Sequence, residues 1–282
     1  MNVKSWFLAA RPKTLSGALI PVLIAVAAAI PCSVTTAVFC GLFALTMQIA
    51  ANFINDLYDY LKGTDDEERL GPERACAQGW VTPKAMKVAI GITLALSAAF
   101  GFAALLTSQI TNYWPIIGIG AACMLFAFLY TTMLSYCGGG DVLVWVFFGL
   151  VPVCGTFYLL TGCISLKIIL LSVSAGWVTD TLLVLNNYRD RDTDRTHGKR
   201  TLIVVFGERF GSLFYLLQGV AGAVIVCATT HQYWTLLYLA CHALTWHKMI
   251  QIRHGKKLNV ILARTSANMM LFAACTILSL LF

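Results

Sequence analysis

Long apolar segments recur along almost the whole chain, and they constrain its fold more than any other feature. Of the 282 residues, 59% are hydrophobic and 12% are charged, with a mean hydropathy of +0.76. So few polar groups cannot coat a soluble globule. Because about 20 apolar residues span a bilayer, we predict an all-α polytopic membrane protein, a bundle of nine transmembrane helices in one integral-membrane domain, residues 1–282. The predicted spans are 14–30, 35–55, 86–107, 113–133, 142–162, 166–186, 211–230, 232–250 and 263–282.

The positive charges lie almost entirely on one side of these spans. With a cytoplasmic N-terminus, nineteen of the twenty lysines and arginines fall on the cytoplasmic side, and Lys167 alone falls outside. Positive residues mark the cytoplasmic side of membrane proteins. We therefore predict a multi-pass protein of the cytoplasmic (inner) membrane whose C-terminal Phe282 lies outside. The net charge of +7 then reflects this topology and contact with the lipid bilayer, and it predicts no nucleic-acid partner.

The most polar interruption of an apolar run is LNNYRDRDTDRTHGKRT, from Leu185 to Thr201. If the preceding helix continues through this stretch, Asn187, Asp190 and Asp194 stand at i, i+3 and i+7 and project from one face. Like charges placed together repel each other unless a cation lies between them. This helix end is therefore a candidate cation site.

A similar pattern occurs earlier, in NFINDLYDY at the end of the second predicted span. Asn52, Asn55, Asp56 and Asp59 fall at i, i+3, i+4 and i+7. Asn55 and Asn186 are 131 residues apart, and each pattern precedes a loop with Arg or Lys. This repetition predicts a pseudo-repeat of four-helix units, spans one to four and five to eight, with the ninth span added.

The two acidic motifs together predict a ligand. Carboxylates and Asn carbonyls suit Mg²⁺, which typically completes its shell with phosphate oxygens, and nearby Arg and Lys would bind the remaining phosphate charge. The predicted ligand is a lipid diphosphate at the membrane face. A solvated helix end is the simpler interpretation of one such motif, but not of two on the same side.

Other residues leave alternatives open. A cation-coupled transporter would also place acids among its spans, and Asp180 inside the sixth span favours it, although a buried, hydrogen-bonded Asp is the simpler alternative. The glycines from Gly138 to Gly140, before Asp141, predict either a close backbone approach to a ligand or a tight turn. The ten cysteines form no CxxC pair, so we predict neither a disulfide framework nor a zinc site.

These motifs resemble those of the UbiA-type superfamily of intramembrane prenyltransferases, whose two aspartate-rich motifs bind Mg²⁺ and a polyprenyl diphosphate. Within it, the chain is most similar to the 1,4-dihydroxy-2-naphthoate polyprenyltransferases of menaquinone biosynthesis. The resemblance extends to about Gly207, and the last three spans match by hydropathy alone. The stretches that carry it are ARPKTL at Ala10–Leu15, NDLYDYLKGTDDEERLGPERACAQG at Asn55–Gly79, VFFGLVPVCGTFYL at Val146–Leu159 and NNYRDRDTDRTHGKRTL at Asn186–Leu202.

The resemblance implies roles for the residues that match it. The implied metal ligands are Asn55, Asp59, Asp65, Asn187, Asp190 and Asp194. The implied substrate-binding residues are Asn52, Asn55, Arg74, Asp141, Asn187, Lys199 and Arg200, of which Arg74 and Lys199 best match the diphosphate contacts. The implied catalytic residues are Asp59, Asp190, Asp194 and Lys199. Two departures concern the acceptor pocket and one phosphate contact: GGGD at Gly138–Asp141 stands where this branch reads GLGE, and TLIVVFG at Thr201–Gly207 lacks the arginine of TLAVRLG.

The implied reaction is the Mg²⁺-dependent transfer of a polyprenyl group from polyprenyl diphosphate to an aromatic acid, 1,4-dihydroxy-2-naphthoate. Loss of CO₂ would give demethylmenaquinol. Asp141 and Asp65 are candidates for handling the acceptor's protons. Another acceptor used in the superfamily, such as 4-hydroxybenzoate, a chlorophyllide or haem, would keep the metal motifs and change the pocket. The prenyl chain length, the oligomeric state and any protein partners do not follow from the sequence.

Overall fold

The chain folds into a helical bundle in the computed structural model, which describes residues 3–63, 70–71, 73–132 and 138–282, without the side chains of residues 13, 131 and 132. These ranges contain no β-strand, so the all-α prediction is confirmed for them. A single π-helical turn, Val146–Leu150, joins α6 to α7. The helices are α1 (Val3–Ala10), α2 (Pro12–Ala28), α3 (Val34–Lys62), α4 (Pro83–Thr107), α5 (Trp114–Thr132), α6 (Gly140–Trp145), α7 (Val151–Thr161), α8 (Leu166–Thr196), α9 (Leu202–Thr230), α10 (Thr235–Ile252) and α11 (Leu258–Leu281).

Six helical segments of the described chain are long and apolar enough to cross a membrane: α3, α4, Gly140–Thr161, α8, α9 and α11. The pair α1 and α2, bent by 53°, makes a seventh if it is counted as one span. Eight of the nine predicted spans coincide with one helix each, and the fifth coincides with α6, the π-helical turn and α7 together. However, the apolar part of α5, Trp114–Tyr130, is shorter than these six segments. The α10 helix is also not among the segments that are both long and apolar enough to cross a membrane. Length and composition therefore show six to seven spans rather than nine.

Local chemistry sets the ends of the two helices that carry the acidic motifs. Ser33 and Ser165 cap α3 and α8, and each hydroxyl accepts a hydrogen bond from a backbone N–H of the first turn at 3.3 Å. The α3 helix ends at Gly63, whose φ of +66° is a conformation that favours glycine. The α8 helix continues to Thr196. The whole second motif up to Asp194 is therefore helical, as its spacing predicted.

The segment from α6 to α7 crosses α8 at close range next to the π-helical turn. Pro152 offers no N–H to the carbonyl four residues before it, and the π-helical turn ends two residues earlier. Two glycines allow the backbones to approach: a Cβ on Gly149 would lie 2.6 Å from the carbonyl oxygen of Ser172, and one on Gly176 would lie 2.9 Å from that of Trp145. This close crossing fixes one wall of the cavity described below.

The α8 helix occupies the centre of the bundle. It packs along α9 and also contacts α2, α6, α7 and α11. The C-terminal part of α8 packs with α9, α10 and α11 in one core cluster, whereas the end of α3 packs with α4 and the chain segment before α4 in a separate cluster. The two motif-bearing helix ends therefore belong to different packing groups.

Candidate active site

The C-terminal end of α3 brings together an acid, an amide and a base. Arg74 donates from Nη2 to Asn55 Oδ1 at 2.6 Å and to Asp59 Oδ2 at 3.1 Å. The Arg74 side chain is 7% exposed and that of Asp59 is 17% exposed, so salt screens this ion pair little. A residue predicted to bind metal and one predicted to bind phosphate are thus in direct contact.

Asp56 follows Asn55 in sequence but faces a different target. Its Oδ2 and Oδ1 accept hydrogen bonds from the backbone N–H groups of Ala75 and Cys76, both at 2.9 Å. The side chain is buried, and hydrogen bonds to an ionised carboxylate are among the strong ones. The sequence pattern placed Asp56 in the cation-facing stripe. That placement is wrong, because both its oxygens anchor the loop that presents Arg74.

Asn52 and Arg11 connect this cluster to the junction of α1 and α2. Asn52 donates from Nδ2 to the carbonyl oxygen of Ala10 at 2.8 Å and to Thr14 Oγ1 at 3.0 Å. Arg11, at a left-handed φ of +49°, donates from Nη2 to Asn55 Oδ1 at 3.4 Å. Asn52 therefore holds the N-terminal helices against α3, although it also lines the cavity described below.

The C-terminal end of α8 carries a second cluster, in which Asp190 and Asp194 each pair with a base of the same motif. Arg189 donates from Nε and Nη2 to the two carboxylate oxygens of Asp190, each at 2.6 Å. Lys199 Nζ lies 3.1 Å from Asp194 Oδ1. Asn187 is half-buried on the same helix. Asp190 and Asp194 are thus charge-compensated by neighbouring bases, as Asp59 is in the first cluster.

The loop after α8 packs against the loop before α6. Gly138 has a φ of +76°, and a Cβ there would lie 2.9 Å from the carbonyl oxygen of Arg200. The glycine run therefore does allow a close approach, but to the protein's own backbone. The Arg200 side chain is exposed. Thr201 caps α9 by accepting from the backbone N–H of Val204 at 3.3 Å.

Two buried acids lie outside these clusters. Asp180 is fully buried on α8, and its Oδ2 accepts from Trp145 Nε1 at 2.9 Å and from Gln218 Nε2 at 2.6 Å. This confirms the buried, hydrogen-bonded alternative for Asp180. Asp141 is buried in the first turn of α6. Neither acid lines the cavity between the motifs.

A cavity of about 660 Å³ lies between the two motif-bearing helix ends. Asn55 of the first motif and Asn186 of the second both line it, together with Arg11. The rest of its wall is mostly apolar and includes Phe43, Met47, Met124, Phe126, Phe147 and Phe148. A cavity with a few convergent polar groups and an apolar remainder suits an amphiphilic ligand.

The donor set fits Mg²⁺ only in combination with phosphate. The part of the chain that the structure describes contains no group of three His, Cys, Asp or Glu side chains placed to hold a metal, and Asp65 lies outside the described residues. Oxygen donors from two motifs beside one cavity nevertheless fit Mg²⁺, which proteins commonly hold with one or two carboxylates plus substrate phosphates. Asp59 and Asp194 would have to exchange their present basic partners for the metal, whereas the carboxylate of Asp190 has lone pairs for both Arg189 and a metal.

Three residues of this site were not singled out from the sequence. Arg11 contacts Asn55, and the charged residue within an apolar N-terminal segment was an available signal. Arg189 pairs with Asp190. Its position directly before that acid in the sequence was also an available signal. Tyr130 lines the cavity, but it lies at the end of an ordinary apolar run, and no sequence pattern distinguishes it from an interfacial aromatic residue.

Comparison with known proteins agrees with these features. The chain matches the UbiA prenyltransferase family over residues 18–267. It is 34% identical over 228 residues to a 1,4-dihydroxy-2-naphthoate octaprenyltransferase of Haemophilus influenzae, covering 77% of this chain and 73% of that protein. It is 32% identical over 250 residues to the Escherichia coli protein of the same name, covering 84% and 81%. The fold is similar to that of a UbiA homolog from Archaeoglobus fulgidus bound to DMAPP and Mg²⁺, with a TM-score of 0.68, 16% identity and coverage of 98% and 99%. The resemblance drawn from the motifs is thereby confirmed, and the chain belongs to the UbiA prenyltransferase family of enzymes.

Proposed function

We propose that the protein transfers a polyprenyl group from polyprenyl diphosphate to 1,4-dihydroxy-2-naphthoate in a Mg²⁺-dependent reaction that releases CO₂ and gives demethylmenaquinol. The observation that carries this proposal is that Asn55 and Asn186 line one mostly apolar cavity, and that each lies on a helix end that carries acid–base pairs. The relatives named as naphthoate octaprenyltransferases support the acceptor. The homolog solved with DMAPP and Mg²⁺ supports the donor and the metal.

The proposal includes the arrangement in the membrane. Residues 1–282 would form a single domain in the cytoplasmic membrane, with nine spans, a cytoplasmic N-terminus and an external C-terminus. The one-sided distribution of Lys and Arg supports this topology. The pseudo-repeat is supported by the positions of α3 and α8, since each motif ends the second long helical segment of its four-helix unit.

The bases of the site would bind the diphosphate. Arg74 and Lys199 now contact Asp59 and Asp194, and phosphate oxygens would offer them equally strong charge-assisted hydrogen bonds. Arg11, which contacts Asn55, lines the cavity itself. Mg²⁺, when bound among Asn55, Asp59, Asn187, Asp190 and Asp194, would stabilise the negative charge that develops on the departing diphosphate.

The apolar wall would protect the reacting carbon. Loss of diphosphate leaves an electron-poor allylic carbon, and water must be kept away until the acceptor attacks. The Phe and Met side chains of the cavity would exclude that water. A ring carbon of the naphthoate then forms the new bond to the prenyl carbon, and the carboxylate leaves as CO₂.

The acceptor's hydroxyl protons need a partner, for which Asp141 and Asp65 are the candidates. Asp141 does not line the cavity, but the start of its helix contacts Tyr130, which does. A Cβ on Gly140 would lie 3.7 Å from Tyr130 Cε2. Tyr130 therefore lies between the cavity and the start of the helix that carries Asp141.

A second aromatic acceptor, 4-hydroxybenzoate, a chlorophyllide or haem, is the alternative, because the turn before Asp141 departs from the naphthoate branch. The test is a transfer assay on membranes from a host without its own naphthoate prenyltransferase, supplied with Mg²⁺, a prenyl diphosphate and each acceptor in turn. We expect product from the dihydroxynaphthoate alone, with equimolar CO₂. Turnover of a different acceptor instead would overturn the acceptor assignment, and transfer to none of them would overturn the function.

A further inference from the structure

We propose that Asn259, in the first turn of α11, is a positioning residue that orients Asp190 and the loop carrying Arg74. The last helix of the chain would thereby control the geometry of both acidic motifs. This inference rests on the proposed function of those motifs as the Mg²⁺ and diphosphate site.

The Asn259 side chain forms hydrogen bonds in two directions. Its Oδ1 accepts from Arg189 Nη1 at 2.7 Å, and its Nδ2 donates to the carbonyl oxygen of Leu70 at 2.9 Å. A side-chain amide can accept and donate at the same time. Asn259 therefore joins three parts of the chain: α11, the second motif and the loop after the first motif.

Arg189 links Asn259 to Asp190 of the second motif. Its Nε and Nη2 hold the two oxygens of Asp190, and its Nη1 reaches Asn259. The guanidinium is a rigid planar fork, so fixing Nη1 also fixes the direction of the other two nitrogens. Arg189 is 5% exposed. Removing the Asn259 oxygen would leave a shielded donor without its partner, and the side chain would have to move to find another.

The second bond reaches the loop of the first motif. Leu70 lies four residues before Arg74, and Asp56 holds the two backbone N–H groups that directly follow Arg74. The loop is thus anchored on both sides of the arginine. Arg191 attaches the turn between α10 and α11 to α8, because its Nη1 donates to the carbonyl oxygen of Arg253 at 2.9 Å.

Three variants separate positioning from general stability. Asn259→Leu removes both hydrogen bonds, and Asn259→Asp keeps the acceptor for Arg189 while removing the donor to Leu70. Asn268→Leu is the matched control: Asn268 lies on the same helix, is 8% exposed and donates to Thr245 Oγ1 at 2.9 Å on α10, away from both motifs.

The first measurement is backbone hydrogen exchange of the purified protein without Mg²⁺. Peptides covering residues 70–76 should exchange about tenfold faster in Asn259→Leu and Asn259→Asp than in the parent. Asn268→Leu should exchange there like the parent. This readout needs no substrate, so it tests the positioning role even if the protein transfers no prenyl group and the proposed function fails.

The second measurement is the Mg²⁺ concentration that gives half of the thermal stabilisation in the presence of geranyl S-thiolodiphosphate, a poorly reactive prenyl diphosphate analogue. Loss of a residue that orients a metal ligand commonly weakens metal binding by 10- to 100-fold, so we expect that concentration to rise about tenfold or more in Asn259→Leu and less in Asn259→Asp. Parent-like exchange and Mg²⁺ dependence in Asn259→Leu would overturn the proposal. Equal shifts in Asn268→Leu would also overturn it. If Asn259→Leu cannot be purified folded, the exchange of Asn259→Asp decides.

Discussion

Arg74 and Asp59 are in direct contact, with Nη2 of the arginine 3.1 Å from Oδ2 of the aspartate. The second motif shows the same relationship, since Lys199 lies 3.1 Å from Asp194. In both pairs, removing one partner leaves a partly buried charge without compensation. These charges are therefore balanced by side chains of the site itself, and each substitution in the first two predictions below leaves one of them uncompensated.

The first prediction concerns the acids. Replacing Asp59 or Asp190 with Ala removes a carboxylate that we expect to hold Mg²⁺, so prenyl transfer should fall to about 1% of the parent rate or less. The amount of protein inserted in the membrane should not change. In the parent, EDTA should abolish transfer and added Mg²⁺ should restore it. Full activity of either purified variant would contradict the metal assignment.

The second prediction separates phosphate binding from metal binding. Arg74→Gln and Lys199→Gln should each weaken prenyl diphosphate binding by about 1.5–3 kcal/mol, the range for a hydrogen bond to a charged group. The affinity for the aromatic acid should change little, because we expect it to lie deeper in the bundle. Binding of both substrates to the purified variants is the measurement. Parent-like diphosphate binding with loss of the aromatic acid would reverse the two substrate positions.

The third prediction tests the loop anchor. Asp56→Asn replaces one acceptor oxygen with an NH₂ group that faces a backbone N–H, and this mismatch should cost about 1–3 kcal/mol of stability. Because the loop presents Arg74, the KM for prenyl diphosphate should also rise. Glu73→Gln is the control, since Glu73 is an exposed acid of the same loop and should behave like the parent. Equal effects of the two substitutions would show that Asp56 does not position Arg74.

The fourth prediction concerns the glycine turn. Gly138 and Gly162 have similar φ angles, +76° and +74°, but a Cβ meets the carbonyl oxygen of Arg200 at 2.9 Å in the first case and nothing within 4 Å in the second. Replacement by Ala should cost about 1–2 kcal/mol at both positions because of the left-handed backbone. Gly138→Ala should destabilise the protein further and slow prenyl transfer. Thermal unfolding and transfer assays check this, and equal losses at both sites would exclude a role for the close approach.

The fifth prediction concerns topology. Nine spans with a cytoplasmic N-terminus place Phe282 on the outer side, opposite both acidic motifs. A reporter fused after Phe282 should be active outside, and one fused after a chain ending at His197 should be active inside. A cytoplasmic signal from the fusion after Phe282 would mean that the number of spans is even.

The helices and the positions of the two motifs follow from local sequence. Hydropathy over about 20 residues and the 3.6-residue period depend only on neighbouring side chains, so α3 and α8, and the helical spacing of Asn187, Asp190 and Asp194, were predictable. The number of spans was less predictable, because α5 and α10 depart from the length and apolarity of the other spanning helices. Family membership was also predictable, since it depends on short motifs.

Only the tertiary structure decided what each polar side chain contacts. Helical period predicts a shared face for Asn55, Asp56 and Asp59, yet Asp56 turns to the backbone after Arg74, while Asn55 and Asp59 meet its guanidinium. Asn259 and Leu70 are 189 residues apart. Periodicity gives the direction in which a side chain leaves its helix, but its partner depends on which helices pack beside it. That packing is set by the shape of the whole bundle, which no local stretch of sequence contains.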